Sequence, residues 1–263
     1  MRLFKFFSKY LKLILLYFNH DVIENKLEKL HNIHSGEECY IFGDGVSIKY
    51  FDLSFFKDKV SIVSNNLIFH KDFDKLNVKY YSMFEPYWFF PIFVSGLKGI
   101  RFIYNKIQRA HLKNFKSKPN IIFFTDLSNV LRLKGKNIVP LHYSILSKYF
   151  SLKENSINMI EGTLRIQITL AIIMGFKKAY LVGHDYTHKN PHVGHFYETG
   201  EGEIDNKKNW NQSFFDLVKN KIDLTTITLN GTSSTLNSIT YTEFTNANLN
   251  FKENTEIVNK KKY

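Results

Sequence analysis

Six short apolar runs recur along the chain: Cys39–Phe42, Val60–Ser64, Val78–Met83, Ile121–Thr125, Ala179–Val182 and Leu224–Thr228. Each is rich in β-branched or aromatic residues, and polar turns bound most of them, which is the pattern of buried strands. Helical patterns lie between them, clearest over Thr163–Met174 and Trp210–Lys221, with a polar helix over Asp21–Leu30 and a linker from His31 to Glu38. Short apolar strands alternating with helices predict an α/β fold: a Rossmann-like, mostly parallel sheet covered by helices on both faces. With 44% hydrophobic content, 25 Phe and 15 Tyr, the chain has the apolar area for a sizeable core and is not a disordered segment. No internal repeat or low-complexity linker divides it. The expected organisation is an N-terminal amphipathic helix and linker over residues 1–36, one domain over 37–250, and a basic tail over 251–263.

The single cysteine, Cys39, lies inside the first strand, so no disulfide framework is possible and the thiol reads as a small apolar side chain. The formal charge of +12 is unevenly spread. Between Leu97 and Lys153 twelve Lys or Arg face one acid, Asp126, and Lys260, Lys261 and Lys262 add three cations at the end. Lysine's dominance over arginine fits codon bias, but one acid in so long a stretch does not. A concentrated positive field attracts polyanions such as nucleic acid, anionic lipid or phosphorylated glycolipid. Near the N-terminus, Arg2, Lys5, Lys9 and Lys12 fall at helical spacing among Leu3, Phe4, Phe6, Phe7, Tyr10, Leu11, Ile14 and Leu15. The longest uncharged run there is far short of the roughly 20 residues a membrane span requires. Two readings follow: a helix lying in the headgroup layer, or a helix packed on the domain or on a second copy.

Chemistry concentrates after the strands. Gly43-Asp44-Gly45-Val46-Ser47 follows the first one, where glycines allow close backbone approach and the next helix start can present amides to a phosphate or ribose. The third glycine of the dinucleotide fingerprint is missing, which disfavours NAD. Ser64-Asn65-Asn66 ends the second strand on the same edge, and an amide there can donate to and accept from a nucleotide. Glu161-Gly162-Thr163 opens an apolar helix, offering either a second anion position or ordinary capping. The strand Ala179–Val182 runs into Gly183-His184-Asp185, and four of the ten histidines, His184, His188, His192 and His195, fall within twelve residues. Their spacing matches no standard zinc pattern. One imidazole acting as an acid or base, with the others as bystanders, fits better. The polar, glycine-containing stretch after them suits a lid over about 186–208. Asp72-Phe73-Asp74 has the form of a metal-binding Asp-x-Asp but precedes a strand among solvated charges, so no metal site is expected.

These blocks together resemble a known family. The run CYIFGDGVSIKYFDLSFFKDKVSIVSNNLIF resembles the opening of bacterial sialyltransferases of glycosyltransferase family 42 and of related surface-glycan and flagellin glycosyltransferases. EGTLRIQITLAIIMGFKKAYLVGHDYTH resembles their central helix, Gly-Phe/Tyr turn and strand ending in Gly-x-Asp, and HVGH resembles their lid. The resemblance covers roughly Glu38–Thr228 and implies a GT-A variant of the Rossmann-like fold. It implies nucleotide contacts at Gly43, Gly45, Ser47 and Asn65, with Gly162 and Thr163 near the phosphate; Asp44, Asn66 and Gly183, on the same turns, complete the expected nucleotide-binding set. It places Asp185 beside the ribose or acceptor, His195 as general base, and Tyr186 and Tyr197 nearest to the family's phosphate-steadying tyrosine pair. Three departures stand out: Asp44 in place of Asn, Val46 in place of Pro, and Glu85-Pro86 in place of Asn-Pro.

The resulting expectation is a metal-independent inverting glycosyltransferase with no cofactor. It would use a nucleotide-sugar donor, CMP-sialic acid or a related CMP-linked sugar, and a lipopolysaccharide, capsule or other surface-glycan or glycolipid acceptor. It would sit in the cytoplasm, peripheral on the anionic inner face of the cytoplasmic membrane, without nucleic acid and with a homo-oligomer possible. The competing expectations are a basic nucleic-acid-binding protein and a non-catalytic relative in a glycan-assembly complex.

Overall fold

A computed structural model describes residues 2–89, 93–95, 99–101, 106–152, 154–205, 212–233 and 235–259. The cations Lys260–Lys262, the lid positions 206–208 and the helix start at Trp210 lie outside the described residues. Eight strands form one sheet: β1 Glu38–Phe42, β2 Val60–Ser64, β3 Val78–Met83, β4 Ile122–Asp126, β5 Ile138–Leu141, β6 Lys178–Val182, β7 Asp223–Thr228 and β8 Asn237–Thr240. Their order across the sheet is β8-β7-β6-β1-β2-β3-β4-β5, and every neighbouring pair is parallel. The chain therefore winds outward from β1 through β5, returns to the other side of β1 as β6, and winds outward again.

Helices and short 3-10 turns cover both faces. Along β1 the side chains alternate as period two demands: Cys39 and Ile41 join one core, Tyr40 and Phe42 the other. The first core holds α1 (Arg2–Glu28), α3 (Thr163–Ile173) and α4 (Gln212–Val218); the second holds α2 (Lys106–Ser117). In α3, Leu164, Ile166, Ile168, Leu170, Ala171 and Ile173 are all buried, as befits a helix without a polar face. The carbonyls at its end are satisfied by the turn that follows α1. Asn32 N–H donates to Ile173 O at 3.0 Å and His34 N–H to Met174 O at 2.9 Å. Gly175 is required there, because a Cβ would sit 3.0 Å from Asn32 Cα and its φ is +87°.

Two expectations change, and one open reading is narrowed. The segment Asp21–Glu28 is not a separate helix but the continuation of α1, with no proline or glycine to stop it. Of the two readings of the N-terminal helix, packing on the domain is seen: Leu15, Ile23 and Leu27 are buried in the first core, and Lys12 Nζ lies 3.0 Å from Asp126 Oδ2; the side chains of Arg2, Lys5 and Lys9 lie outside the described residues. The opposite side of α1 exposes Tyr10, Leu13, Ile14, Tyr17 and Phe18. At the other end, residues 251–259 are not a loose tail. Ile257 and Val258 are buried, and Asn259 N–H donates to Phe69 O at 2.8 Å.

Candidate functional site

β1 and β6 are sheet neighbours whose following segments leave in opposite directions, and such a switch point opens a crevice at the carboxyl ends of the strands. A cavity of about 250 Å³ lies there, lined by Gly43, Asp44, Gly45, Ser64, Asn65, Thr163, Leu164, Gly183, His184, Asp185, Tyr186, Thr187, His192, Gly194 and His195. Most of the residues singled out in the sequence are thus gathered around one space. A second cavity of about 230 Å³, lined by Phe215, Lys219, Asp223 and Asn237, sits at the amino ends of β7 and β8 and touches none of them.

The glycines have a different reason from the one their motif suggests. Neither Gly43 nor Gly45 has positive φ; what each lacks is room. A Cβ on Gly43 would meet Gly183 O at 2.5 Å, and one on Gly45 would meet Asp185 Oδ2 at 2.6 Å. Gly183 does need its freedom, with φ of +71° and Ile48 2.7 Å from where a Cβ would be. The two loops of the crevice are therefore pressed together, backbone to backbone. Gly43 N–H donates to Val182 O and Gly45 N–H to Gly183 O, both at 2.9 Å.

The two carboxylates of the site have unlike roles. Asp185 is 3% exposed and accepts the Ser47 N–H at 2.9 Å on one oxygen and the Ser47 hydroxyl on the other. These bonds engage both Asp185 oxygens and both Ser47 donors in joining the loops, so Ser47 presents no spare hydroxyl proton. Asp44 is also buried, held by the Asn65 side-chain amide and the Asn66 N–H. Burial pushes its carboxyl above the ordinary carboxylate range, against the pull of the nearby His195. Asn65 takes positive φ, +46°, its carbonyl accepting the Tyr81 hydroxyl. Asn66 Oδ1 is 3.2 Å from Nε2 of His111, an imidazole whose burial drives it down to about 3.

The histidine run disperses into separate environments. His184 is driven to about 3 by burial, and His188 is lowered by the same cause. His192 Nδ1 faces Glu201 O at 3.1 Å. His195 Nδ1 lies 3.7 Å from Asp44 Oδ1, and the Tyr197 ring stacks on the imidazole at 4.9 Å. Tyr186 lines the cavity; Tyr197 reaches it only through His195. Asp72 and Asp74 are engaged outside the site by Lys75 at 2.8 Å and Lys118 at 2.7 Å. Among the described residues no three His, Cys, Asp or Glu side chains converge. Burial raises the Cys39 thiol well beyond the range of a working nucleophile.

Thr163 opens α3 at the cavity, with Gly162 before it at φ +111° and its carbonyl accepting Ile166 N–H at 3.0 Å. Two supports escaped the sequence. Gln167, wholly buried, donates to Phe42 O at 3.2 Å and Ile62 O at 3.4 Å, tying α3 beneath β1 and β2. Its signal was a lone amide inside an otherwise apolar helix. Lys49, also wholly buried, donates to Gly200 O at 2.5 Å and lies 3.6 Å from Glu253 Oε2. Asn254 Nδ2 donates to Tyr197 O at 2.9 Å, so the C-terminal segment holds the loop that carries His195.

No family model and no curated protein matches the chain. Among solved structures it is similar in fold to the sialyltransferase CstII from Campylobacter jejuni. The complex with cytidine-5'-monophosphate matches at 17% identity and a TM-score of 0.46, covering 83% of this chain and 90% of that one. The complex with CMP-3FNeuAc matches at 18% identity and 0.45, covering 82% and 91%. CST-II with trisaccharide acceptor and CMP matches at 19% identity and 0.41, covering 82% and 91%.

Proposed function

We propose that the chain is an inverting glycosyltransferase that moves a sugar from a CMP-linked nucleotide donor to a glycolipid or surface-glycan acceptor, without a bound metal. The observation that carries the reading is the cavity at the switch point, where an imidazole, the first turn of a helix and an asparagine turn face one space. His195 takes the proton of the acceptor hydroxyl as its oxygen attacks the anomeric carbon and the bond to the donor phosphate breaks. The departing phosphate gathers negative charge, and the Thr163 amide and the Tyr186 hydroxyl are the groups proposed to receive it, Gly162 shaping the turn while its amide donates to the Tyr143 hydroxyl. None of the described residues lining the cavity is Lys or Arg, so on these walls such a donor would meet dipoles rather than opposite charge. Asn65 and Asn66 border the nucleotide, and Asp185 serves by keeping the crevice walls joined through Ser47.

A thermal-shift panel of CMP-, UDP-, GDP- and dTDP-sugars tests the reading. A specific donor at a hundredfold excess over its Kd stabilises by about 2.7 kcal/mol, or roughly 5–10 °C for a chain of this size. The shift should come from the CMP-linked sugars and persist in EDTA. A panel with no shift, or a shift that EDTA abolishes and added divalent ion restores, overturns it.

A further inference from the structure

We propose that Asp44 and His195 form a dyad in which the Asp44 carboxylate fixes the imidazole proton on Nδ1, leaving Nε2 as the nitrogen with a free lone pair. The pairing rests on geometry. His195 Nδ1 is closed to solvent and has no hydrogen-bond partner, while Asp44 Oδ1 lies 3.7 Å from it. That gap is about 0.6 Å beyond a hydrogen bond, within reach of a small side-chain rotation. The side chain keeps 39% of its surface exposed although Nδ1 has none, so all of that exposure falls on its other atoms.

Both partners are held from outside the pair. Phe196 N–H donates to Asp44 O at 3.0 Å, and Gly45 and His195 form an antiparallel bridge. His195 N–H donates to Glu198 Oε2 at 2.9 Å, which sets the loop. On the other side, the Asn65 amide and the Asn66 N–H anchor the Asp44 carboxylate. The Asp44 backbone N–H adds a further donor; burying the carboxylate is still costly, and an imidazolium beside it offsets part of that cost. The acid at position 44, where the resemblance implies asparagine, thus gains a function: it stabilises the charge that forms when His195 accepts a proton. Asp44 is a positioning residue; it acts through His195.

The inference rests on the glycosyl-transfer reading only for what the proton is taken from, and the experiment separates the two. ¹⁵N NMR of the histidine-labelled full chain, with His195 assigned by His195→Gln, reports the tautomer directly. The neutral ring should be protonated on Nδ1 in the wild type and should lose that bias in Asp44→Asn. With a donor that turns over, Asp44→Asn should lower kcat about 100- to 10,000-fold while donor Kd stays within about threefold. His195→Ala should then cost as much as the double variant. An Nε2-protonated ring in the wild type, or a tautomer that Asp44→Asn leaves unchanged, overturns the dyad. The wild-type measurement decides even if the variant fails to fold, and a chain that binds no sugar nucleotide still answers it.

Discussion

Four histidines crowd one stretch of sequence, and the fold gives them different chemistry. The turns Gly-x-Gly and Gly-His-Asp that follow two strands line one cavity, as carboxyl-edge turns in a parallel sheet can. What local sequence could not carry was consumption: Ser47 and Asp185 are 138 positions apart, and only the folded chain shows that each satisfies the other. Burial likewise separates His184 and the distant His111, both held at about 3, from the half-exposed His195. Those two imidazoles stay neutral in the fold but charge near 6.5 when the chain unfolds. The unfolded state therefore binds more protons between about pH 3 and 6.5. Their contribution to stability is complete above 6.5 and is lost as pH falls through that window. Each should remove roughly 1.4 kcal/mol per pH unit well inside it. Urea midpoints should drop between pH 7.5 and 5, and His111→Gln should flatten the fall. Equal midpoints across that range would show that these rings are protonated in the native state.

Six strands were legible as elements and two were not, and the two are the edges of the sheet. β5 and β8 each have one neighbour, so neither must be apolar on every side. Pro140 lies within β5, opposite Thr125, and a proline inside an apolar run argues against a central strand. β8 reads Asn-Ser-Ile-Thr, polar enough to pass for loop. α2 hid in the same way, its cations outnumbering the Ala110 and Phe115 it buries. The C-terminal segment was misread by charge, which concealed Ile257, Val258 and the contacts they bring. Lys252 N–H donates to Lys49 O at 2.9 Å and Lys71 N–H to Ile257 O at 2.7 Å, strapping the segment across the His195 loop. Glu253→Ala combined with Asn254→Ala removes the side-chain contacts of that strap to Gly200, Lys49 and Tyr197 and leaves its backbone. Amides from Tyr197 to Gly202 should then exchange about tenfold faster, the equivalent of one net hydrogen bond. The strands of the sheet should keep their protection. Unchanged exchange in the loop would mean that the strap does not hold it.

For the molecule as a whole, net charge of +12 identifies a preference for anionic surroundings but not where they meet the protein. Ion pairs take part of that charge, among them Lys118 with Asp74 at 2.7 Å and Lys148 with Glu24 at 2.6 Å. No helix among the described residues is long and apolar enough to cross a membrane. α1 instead packs one side on the body and leaves Tyr17 82% and Phe18 74% exposed on the other; a vesicle assay tests whether that surface meets anionic lipid. Tyr17→Ser with Phe18→Ser should abolish sedimentation with anionic vesicles while stability stays within about 0.5 kcal/mol, since neither ring is packed in the core. Undiminished sedimentation would remove α1 from the membrane. Deleting residues 1–18 is the poorer test, because it also strips Lys12 from Asp126. The central place of β1 has a further consequence in time. One of its edges pairs with β2 at Val60, the other with β6 at Ala179. A ribosome adding ~5–20 residues per second delivers β6 on the order of ten seconds after β1. Through that interval Cys39–Phe42 has a bare apolar edge that another nascent chain could join. The strap arrives last, so a chain released before Asn250 would own the cavity walls and lack the clasp that closes them.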